Sequence, residues 1–371
     1  MQKAEANMIL NLLVEDAKLS KTAREKIQNH YEAITNYINN NFNESANIYI
    51  QGSVNLGTAI RPINGSQDDY DVDFVVVVPN NISDTAEIIK NKIGDVLRSN
   101  KHYKLKLEEK KRAWRVNYSQ SHVDIVPAKA KTDDSKEIIN VTKKTNTTYV
   151  FIESAPQPFA NWFEVKEHGK TDLLFENAIQ RSNSIEVDDF PKNSRGTVLS
   201  KTIQLLKLHR DYMFQNDSNE LAPISMLITI LAAQSYKDET NLVDALTSFF
   251  TEYISKFKKD SHGNITLPNP VLERENFTDK WVEHPERKVA FANWVKQAKN
   301  DILSYQDLSP REYLENIQKR FPNNGKNVAK SYGNYMGKMQ RAGDFSYDQE
   351  NGFQIKPDSN TLIPKNTFYG S

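Results

Sequence analysis

Between residues 48 and 73 the chain reads IYIQGSVNLGTAIRPINGSQDDYDVD, and an apolar run, FVVVV, follows at once. Gly52 and Ser53 close a short apolar strand; Asp71 and Asp73 open the next one. Glycine has no Cβ, so a ligand can come close to the backbone at Gly52. Ser53 would stand where a helix starts at Val54, and the unpaired N–H groups of a helix start attract phosphate. Asp71 and Asp73 lie two apart on a strand, so both carboxylates share one face. Carboxylates that close repel each other unless a cation lies between them. Hard divalent ions such as Mg²⁺ favour this oxygen ligation, usually together with substrate phosphates. Taken singly, a Gly-Ser is most often a turn and an Asp-x-Asp a solvated strand end. It is their order, with strands on both sides, that sets this pair apart.

A third piece is His122-Val123-Asp124-Ile125-Val126-Pro127. It reads as an alternating strand, joined to another near Trp114 to Tyr118 by a turn at Ser119-Gln120-Ser121. Asp124 has apolar neighbours on both sides, and an ionised Asp within a strand needs a partner. A metal shared with Asp71 and Asp73 would supply it.

Gly-Ser, then Asp-x-Asp, then a single Asp on a later strand resembles the signature of the DNA polymerase β type of nucleotidyltransferase. Within that superfamily the chain most resembles the bacterial CD-NTases, relatives of cyclic GMP-AMP synthase and oligoadenylate synthase. The gap from Ser53 to Asp71 is longer than the family pattern. Asn64, Gly65 and Ser66 mark the surplus as a loop near the mouth of the site. The resemblance implies an α+β fold: a catalytic lobe built on a twisted mixed sheet with a long N-terminal helix, and a helical second lobe. The active site would lie in the cleft between them. The implied division is residues 1–190 and 191–371, the latter ending in a flexible tail.

The elements that must position these residues read as follows. Residues 2 to about 42 are helical by spacing, with a break near Leu19-Ser20 and an end at Asn39-Asn40-Asn41. Ser83 to Ser99 is an amphipathic helix capped by Ser83 or Asp84. Tyr103 to Leu107 and Arg112 to Tyr118 read as strands, and the span from Lys101 to Arg115 holds seven Lys/Arg residues. This span reads first as a solvated strand pair rather than a polyanion site. A strand is expected at Ile138 to Val141, with short helices at Asn161 to Lys166 and Leu173 to Arg181. Ser194 to Phe214 is a strong helix, and others run over Asn241 to Phe257, Pro285 to Tyr305 and Lys326 to Arg341. Ser309-Pro310-Arg311-Glu312 has the form of a capping box. The run Asn269-Pro270-Val271 to Glu275-Asn276-Phe277-Thr278 and Trp281 resembles the second lobe of CD-NTases, with Trp281 expected as a core anchor.

By the same resemblance, Lys207 in Leu205-Leu206-Lys207 and Ser225 at a helix start carry the family's further contacts to the donor triphosphate. The lesser alternative for Lys207 is a lysine that snorkels to the surface; Ser225 fits equally an ordinary helix-start serine. His209-Arg210-Asp211 with Asn216 imitates a kinase catalytic loop. No Gly-rich loop precedes it, Met213 stands where the kinase Lys would be, and the segment continues a helical pattern.

At 371 residues the chain can bury two substantial cores. Its 48 basic and 48 acidic residues balance, so bulk charge calls for no obligatory nucleic acid. The absence of cysteine excludes disulfides and zinc–thiolate sites. Apolar runs fall short of the ~18 residues of a membrane span, and the acidic start is unlike a signal peptide. A cytoplasmic, monomeric protein without a membrane partner is the simplest reading. The resemblance further implies ATP- and GTP-type substrates and two Mg²⁺ ions, with Mn²⁺ as a substitute, on Asp71, Asp73 and Asp124. It implies a cyclic di- or trinucleotide product, pyrophosphate release and a role in anti-phage defence. A downstream effector would be reached only through the product, and some relatives expose a C-terminal tail to a modifying partner. Linear oligoadenylate synthesis, RNA 3′-end addition, protein AMPylation and a silent nucleotide sensor are the alternatives.

Overall fold

The computed structural model describes residues 1–63, 70–119, 121–134, 136–168, 186–187, 196–218, 220–342, 346–348 and 352–354. The elements run α1 (Lys3–Ala17), α2 (Lys21–Asn41), β1 (Asn47–Gln51), α3 (Gly52–Asn55), β2 (Tyr70–Val78), α4 (Ala86–Ser99), α5 (Lys101–Lys104), β3 (Leu107–Glu109), β4 (Trp114–Asn117), β5 (Ser121–Ala130), β6 (Ile139–Lys144), β7 (Tyr149–Ser154), α6 (Pro156–His168) and β8 (Glu186–Val187). They continue with α7 (Val198–Met213), α8 (Ser225–Ser235), α9 (Leu242–Glu252), β9 (Lys258–Lys259), β10 (Ile265–Thr266), β11 (Pro268–Asn269), β12 (Leu272–Asn276), α10 (Lys280–Glu283), α11 (Pro285–Leu303), α12 (Pro310–Arg320), α13 (Pro322–Ala342), β13 (Ser346–Asp348) and β14 (Gly352–Gln354). Two compact units result: Ala17–Leu303, and Met1–Asp16 with Ser304–Ser371. The expected lobe boundary at 190/191 lies outside the described residues.

In the larger unit a mixed sheet has the order β3-β4-β5-β2-β1-β8, extended by β6 and β7 from β5. β2 is central: antiparallel to β1 and parallel to β5. That position explains why Phe74 to Val78 is an unbroken apolar run, buried on both faces. One face carries Val72, Phe74 and Val76, which pack with Val123 and Ile125 against Ile27, Tyr31 and Ile34 of α2 and Ile89 and Ile93 of α4. The other carries Val75 and Val77, which pack with Tyr49, Val126, Ala128 and Val141. Asp73 and Asp124 belong by alternation to this second face. Helices α7, α9 and α11 pack on one another and bury Leu199, Ile203, Leu206, Phe249, Phe291 and Trp294.

In the smaller unit Ser309 and Glu312 form the expected capping box at the start of α12. The ammonium of Met1 donates to the carbonyls of Tyr305 and Leu308, at 3.1 and 2.6 Å. The side chain of Asn324 donates to Asp16 at 2.7 Å.

The break expected near Leu19-Ser20 is present, because Ser20 caps α2 by accepting from Ala23 N–H, and the N-terminal stretch is two helices. Several boundaries differ from the sequence reading, each for a local reason. Thr85, not Ser83 or Asp84, caps α4; the Asp84 carboxylate is taken by Lys92. The strand expected at Tyr103 is a helical turn, since the Asn100 side chain accepts from the N–H groups of His102 and Tyr103. β7 was not anticipated; Thr145 and Thr148 hold the turn that folds it onto β6. The helix after Asn241 ends at Glu252 and finishes as a 3₁₀ turn. α7 begins at Val198 under a Thr197 cap. The helix expected at Leu173 to Arg181 and the loop at Asn64 to Ser66 lie outside the described residues. Trp281 is half-buried rather than a core anchor, set against Phe257 and Phe291 with ring centroids 5.7 and 5.4 Å away.

Candidate active site

The parallel pairing of β2 with β5 sets Asp73 opposite Asp124 and Asp71 opposite His122. Residues opposed in register point the same way, so all four side chains leave the sheet on one face. Asp71 is exposed, Asp73 and Asp124 half-buried. Gln51 at the end of β1 is opposite Asp73, which brings Gly52 against that carboxylate. A Cβ added to Gly52 would lie 2.9 Å from Asp73 Oδ2, and Gly52 has φ +71°. Only glycine suits both the left-handed backbone and the close approach. Two separate motifs of the sequence therefore meet at one point.

Ser53 does not start a long helix. It is the second residue of the single turn α3, whose flanking Gln51 makes no side-chain cap bond. The dipole of one turn is small, but unpaired N–H groups at its start remain available to an anion. The Ser53 carbonyl accepts from Thr58 N–H at 2.9 Å.

α7 holds the loop that follows. Gln204 Nε2 donates to the carbonyls of Gly57 and Ala59, at 3.3 and 3.0 Å. Lys207 Nζ donates to Thr58 O at 3.2 Å and Thr58 Oγ1 at 3.0 Å. Lys207 is thus neither a surface lysine nor, in this state, open to a ligand; it is buried against the loop after Ser53. Burial, seconded by the nearby Arg210 guanidinium, depresses its ammonium pKa to about 7. Ser225 starts α8, and its Oγ accepts from Arg210 Nη1 at 2.9 Å. That bond ties Ser225 to α7. The kinase-like His209-Arg210-Asp211 lies within α7, where His209 Nε2 pairs with Asp301 at 2.9 Å.

Arg115 was passed over as one charge of a basic stripe. β4 pairs antiparallel with β5, and Arg115 is opposite Asp124. Its Nε and Nη2 reach the two Asp124 oxygens, each at 2.7 Å, a fork-on-fork ion pair. The hairpin alternation around Ser119 to Ser121 was the available signal. His122 was also passed over. It shares the face of the carboxylates, and its Nδ1 is buried without a hydrogen-bond partner among the described residues.

The electrostatics converge on Asp73. Burial first, then the charges of Asp124 and Asp71, raise its pKa to about 7, against the opposing pull of Arg115. A carboxyl whose ionisation is hindered by burial and by two neighbouring carboxylates is one that a divalent cation relieves. No three His, Asp or Glu side chains among the described residues form a finished metal cage, and both oxygens of Asp124 are given to Arg115. The carboxylates are hard-cation donors in kind and share one face, but among the described residues they are not grouped as a set of three that could hold an ion, and Asp124 is engaged by Arg115.

Residues 5–166 match the Second Messenger Oligonucleotide or Dinucleotide Synthetase domain family. The chain is 28% identical over 324 residues to a c-di-GMP synthase of Roseivirga ehrenbergii, covering 84% of this chain and 82% of that one. It is 22% identical over 329 residues to the cyclic dinucleotide synthase CdnG of Bradyrhizobium diazoefficiens, covering 81% and 77%. Among solved structures it resembles the CD-NTase CdnG of that organism in complex with GTP, with TM-score 0.69 at 18% identity, over 88% of this chain and 97% of that one. It also resembles apo DncV of Vibrio cholerae, with TM-score 0.53 at 15% identity, over 89% and 92%. Among the described residues no helix is long and apolar enough to cross a membrane. The chain thus has the fold of the CD-NTase structures, and residues 5–166 of it resemble a synthetase domain that makes oligonucleotide or dinucleotide second messengers.

Proposed function

We propose that this protein joins nucleoside triphosphates, without a template, into a cyclic di- or trinucleotide second messenger, and that the product serves anti-phage signalling. The observation that carries the reading is the register of Asp73 on Asp124, with Gly52 closed against the Asp73 carboxylate. The names of the two curated relatives, a c-di-GMP synthase and a cyclic dinucleotide synthase, support a cyclic dinucleotide over a larger ring. The GTP complex of CdnG supports nucleoside triphosphates, GTP among them, as substrates.

In the proposed chemistry a ribose hydroxyl attacks the α-phosphorus of a second triphosphate. A P–O bond to that ribose forms, the α–β bridging bond breaks, and pyrophosphate leaves. Asp71 and Asp73 would hold two Mg²⁺ ions, with Asp124 on one of them; when bound, these ions neutralise the triphosphate and acidify the attacking hydroxyl. Asp124 orients that hydroxyl and accepts its proton. Arg115 fixes the plane of Asp124 through its two bonds. The backbone at Gly52 and Ser53 receives the β- and γ-phosphates, and Lys207 supports that loop through Thr58 while supplying positive charge behind it. Ser225 would act through Arg210 rather than alone. A second turn of the same chemistry on the linear intermediate closes the ring.

The test is the purified protein with Mg²⁺ and the four triphosphates alone, its products identified by mass spectrometry. A cyclic product that withstands nuclease and phosphatase supports the reading. A linear oligomer, or turnover only when RNA or a protein acceptor is added, would replace it with another transferase on the same fold.

A further inference from the structure

A cavity of about 770 Å³ lies outside the carboxylate site, and nothing in the mechanism above uses it. Its sheet side includes Lys143 and Ile152. Ile152 is paired with Val141, which belongs to the cluster of Val75 and Val126. The cavity therefore opens on the face that carries Asp73 and Asp124. Arg112, also on its wall, precedes Arg115 by three residues, roughly 10 Å of extended chain. It lies on the β4–β5 side of Asp124, whereas Gly52 and Ser53 lie on the β1 side. A nucleotide seated there would be the one that offers its hydroxyl, not the one that offers its phosphates.

The lining states what it can hold. Its lining includes the buried Leu227 and Phe291 and the half-buried Phe277 and Trp281. Aromatic side chains of this kind stack on a planar base. One carboxylate, Glu275, also lines the cavity; its Oε2 accepts from Asn269 Nδ2 at 2.7 Å, which fixes the rotamer. Burial pushes the Glu275 carboxyl up, Asp279 adds to this, and the bond from Asn269 and the charge of Arg112 oppose it. Oε1 and the second lone pair of Oε2 can together accept from two adjacent donors in one plane. Guanine presents that pair, N1–H and the 2-amino group; adenine turns a lone pair to the same position. Arg112 and Lys143 supply positive charge for phosphates at the sheet side.

We propose that this cavity is the base pocket of the acceptor nucleotide and that Glu275 selects guanine there. The proposal rests on the nucleotidyltransferase reading, and two measurements separate them. The first is calorimetric titration of the intact protein with GTP, ITP and ATP in Ca²⁺, which is chosen to suppress turnover. ITP lacks only the 2-amino group. Wild type should bind GTP about tenfold more tightly than ITP or ATP, and Glu275→Gln should erase most of that difference, in line with the loss of a charged acceptor. The second is turnover of an equimolar ATP and GTP mixture, in which Glu275→Gln should lose the guanine bias of the product. Should Glu275→Gln fail to fold, Glu275→Asp decides by the same ratios: it should weaken GTP about tenfold and leave ATP unchanged. A guanine preference that survives in the folded variants, or a wild type without one, overturns the pocket whatever the product. A preference that Glu275→Gln abolishes, in a protein that makes no cyclic product, upholds the pocket and overturns the reaction instead.

Discussion

Gly52 and Asp73 are in van der Waals contact: any Cβ at residue 52 would press to 2.9 Å of the Asp73 carboxylate oxygen, at a backbone φ of +71°. The turn at Gly52 and the strand end at Asp73 are therefore one unit, and neither can change without the other.

Gly52→Ala should displace Asp73 as well as strain the turn. The backbone term alone costs about 1 kcal/mol or more where φ is positive. We expect the melting temperature to fall by a few degrees and pyrophosphate release to fall by a much larger factor. Thermal scanning beside a coupled pyrophosphate assay checks both. A variant that melts lower but keeps its turnover would mean that the contact has no role in the reaction.

Arg115→Gln should free both oxygens of Asp124. Because Arg115 opposes the upward shift of Asp73, its loss should raise the Asp73 pKa further and move the acid limb of the pH–rate profile to higher pH. Turnover at neutral pH should fall at least tenfold. Mn²⁺ binding to the resting protein, followed by electron paramagnetic resonance, should tighten as Asp124 becomes available. An unshifted pH profile would leave Arg115 a structural residue only.

Asp73→Asn should stabilise the metal-free protein in a pH-dependent way. The Asp73 pKa is raised from the usual 3.8 to about 7. Stability that the neutral carboxyl contributes is fully present below pH 3.8 and is lost as pH rises through 7. Asparagine mimics the neutral form, so the gain over wild type in EDTA should be larger at pH 8 than at pH 5. With melting temperature shifting about 2–4 °C per kcal/mol in a protein of this class, the difference is measurable. Mg²⁺ should raise the wild-type melting temperature at pH 8 and leave the variant nearly unmoved.

Lys207→Met should keep the fold, since the site is buried and the stem is apolar, but release Thr58. We expect KM for triphosphates to rise more than kcat falls. The double variant with Thr58→Val should be no worse than Lys207→Met alone if the lysine acts by holding the loop. If the losses multiply instead, Lys207 acts on phosphate directly.

The three carboxylates were legible because strand alternation is local: Asp71 and Asp73 share a face whatever the rest of the chain does. Asp124 was legible by its apolar neighbours, and Gly52 by its place at a strand end. What escaped depends on partners distant in sequence. Arg115 meets Asp124 only when the hairpin register is known, and one residue of slip would turn it away. Lys207 and Thr58 are 149 residues apart, so nothing in either neighbourhood predicts the bond. The resemblance also misjudged depth: Trp281 keeps company with Phe291 but is half-buried and lines a cavity. Asn100 turned a segment with strand composition into a helical turn through two side-chain bonds, a case of local hydrogen bonding overriding propensity.

The most direct test of the central claim is pyrophosphate release by the Asp71→Asn, Asp73→Asn double variant. Wild type with Mg²⁺ and nucleoside triphosphates should release pyrophosphate in step with a cyclic product, and the double variant, still folded by circular dichroism, should release none above background. Undiminished release from that variant would contradict the assignment of the carboxylate face as the site of phosphoryl transfer.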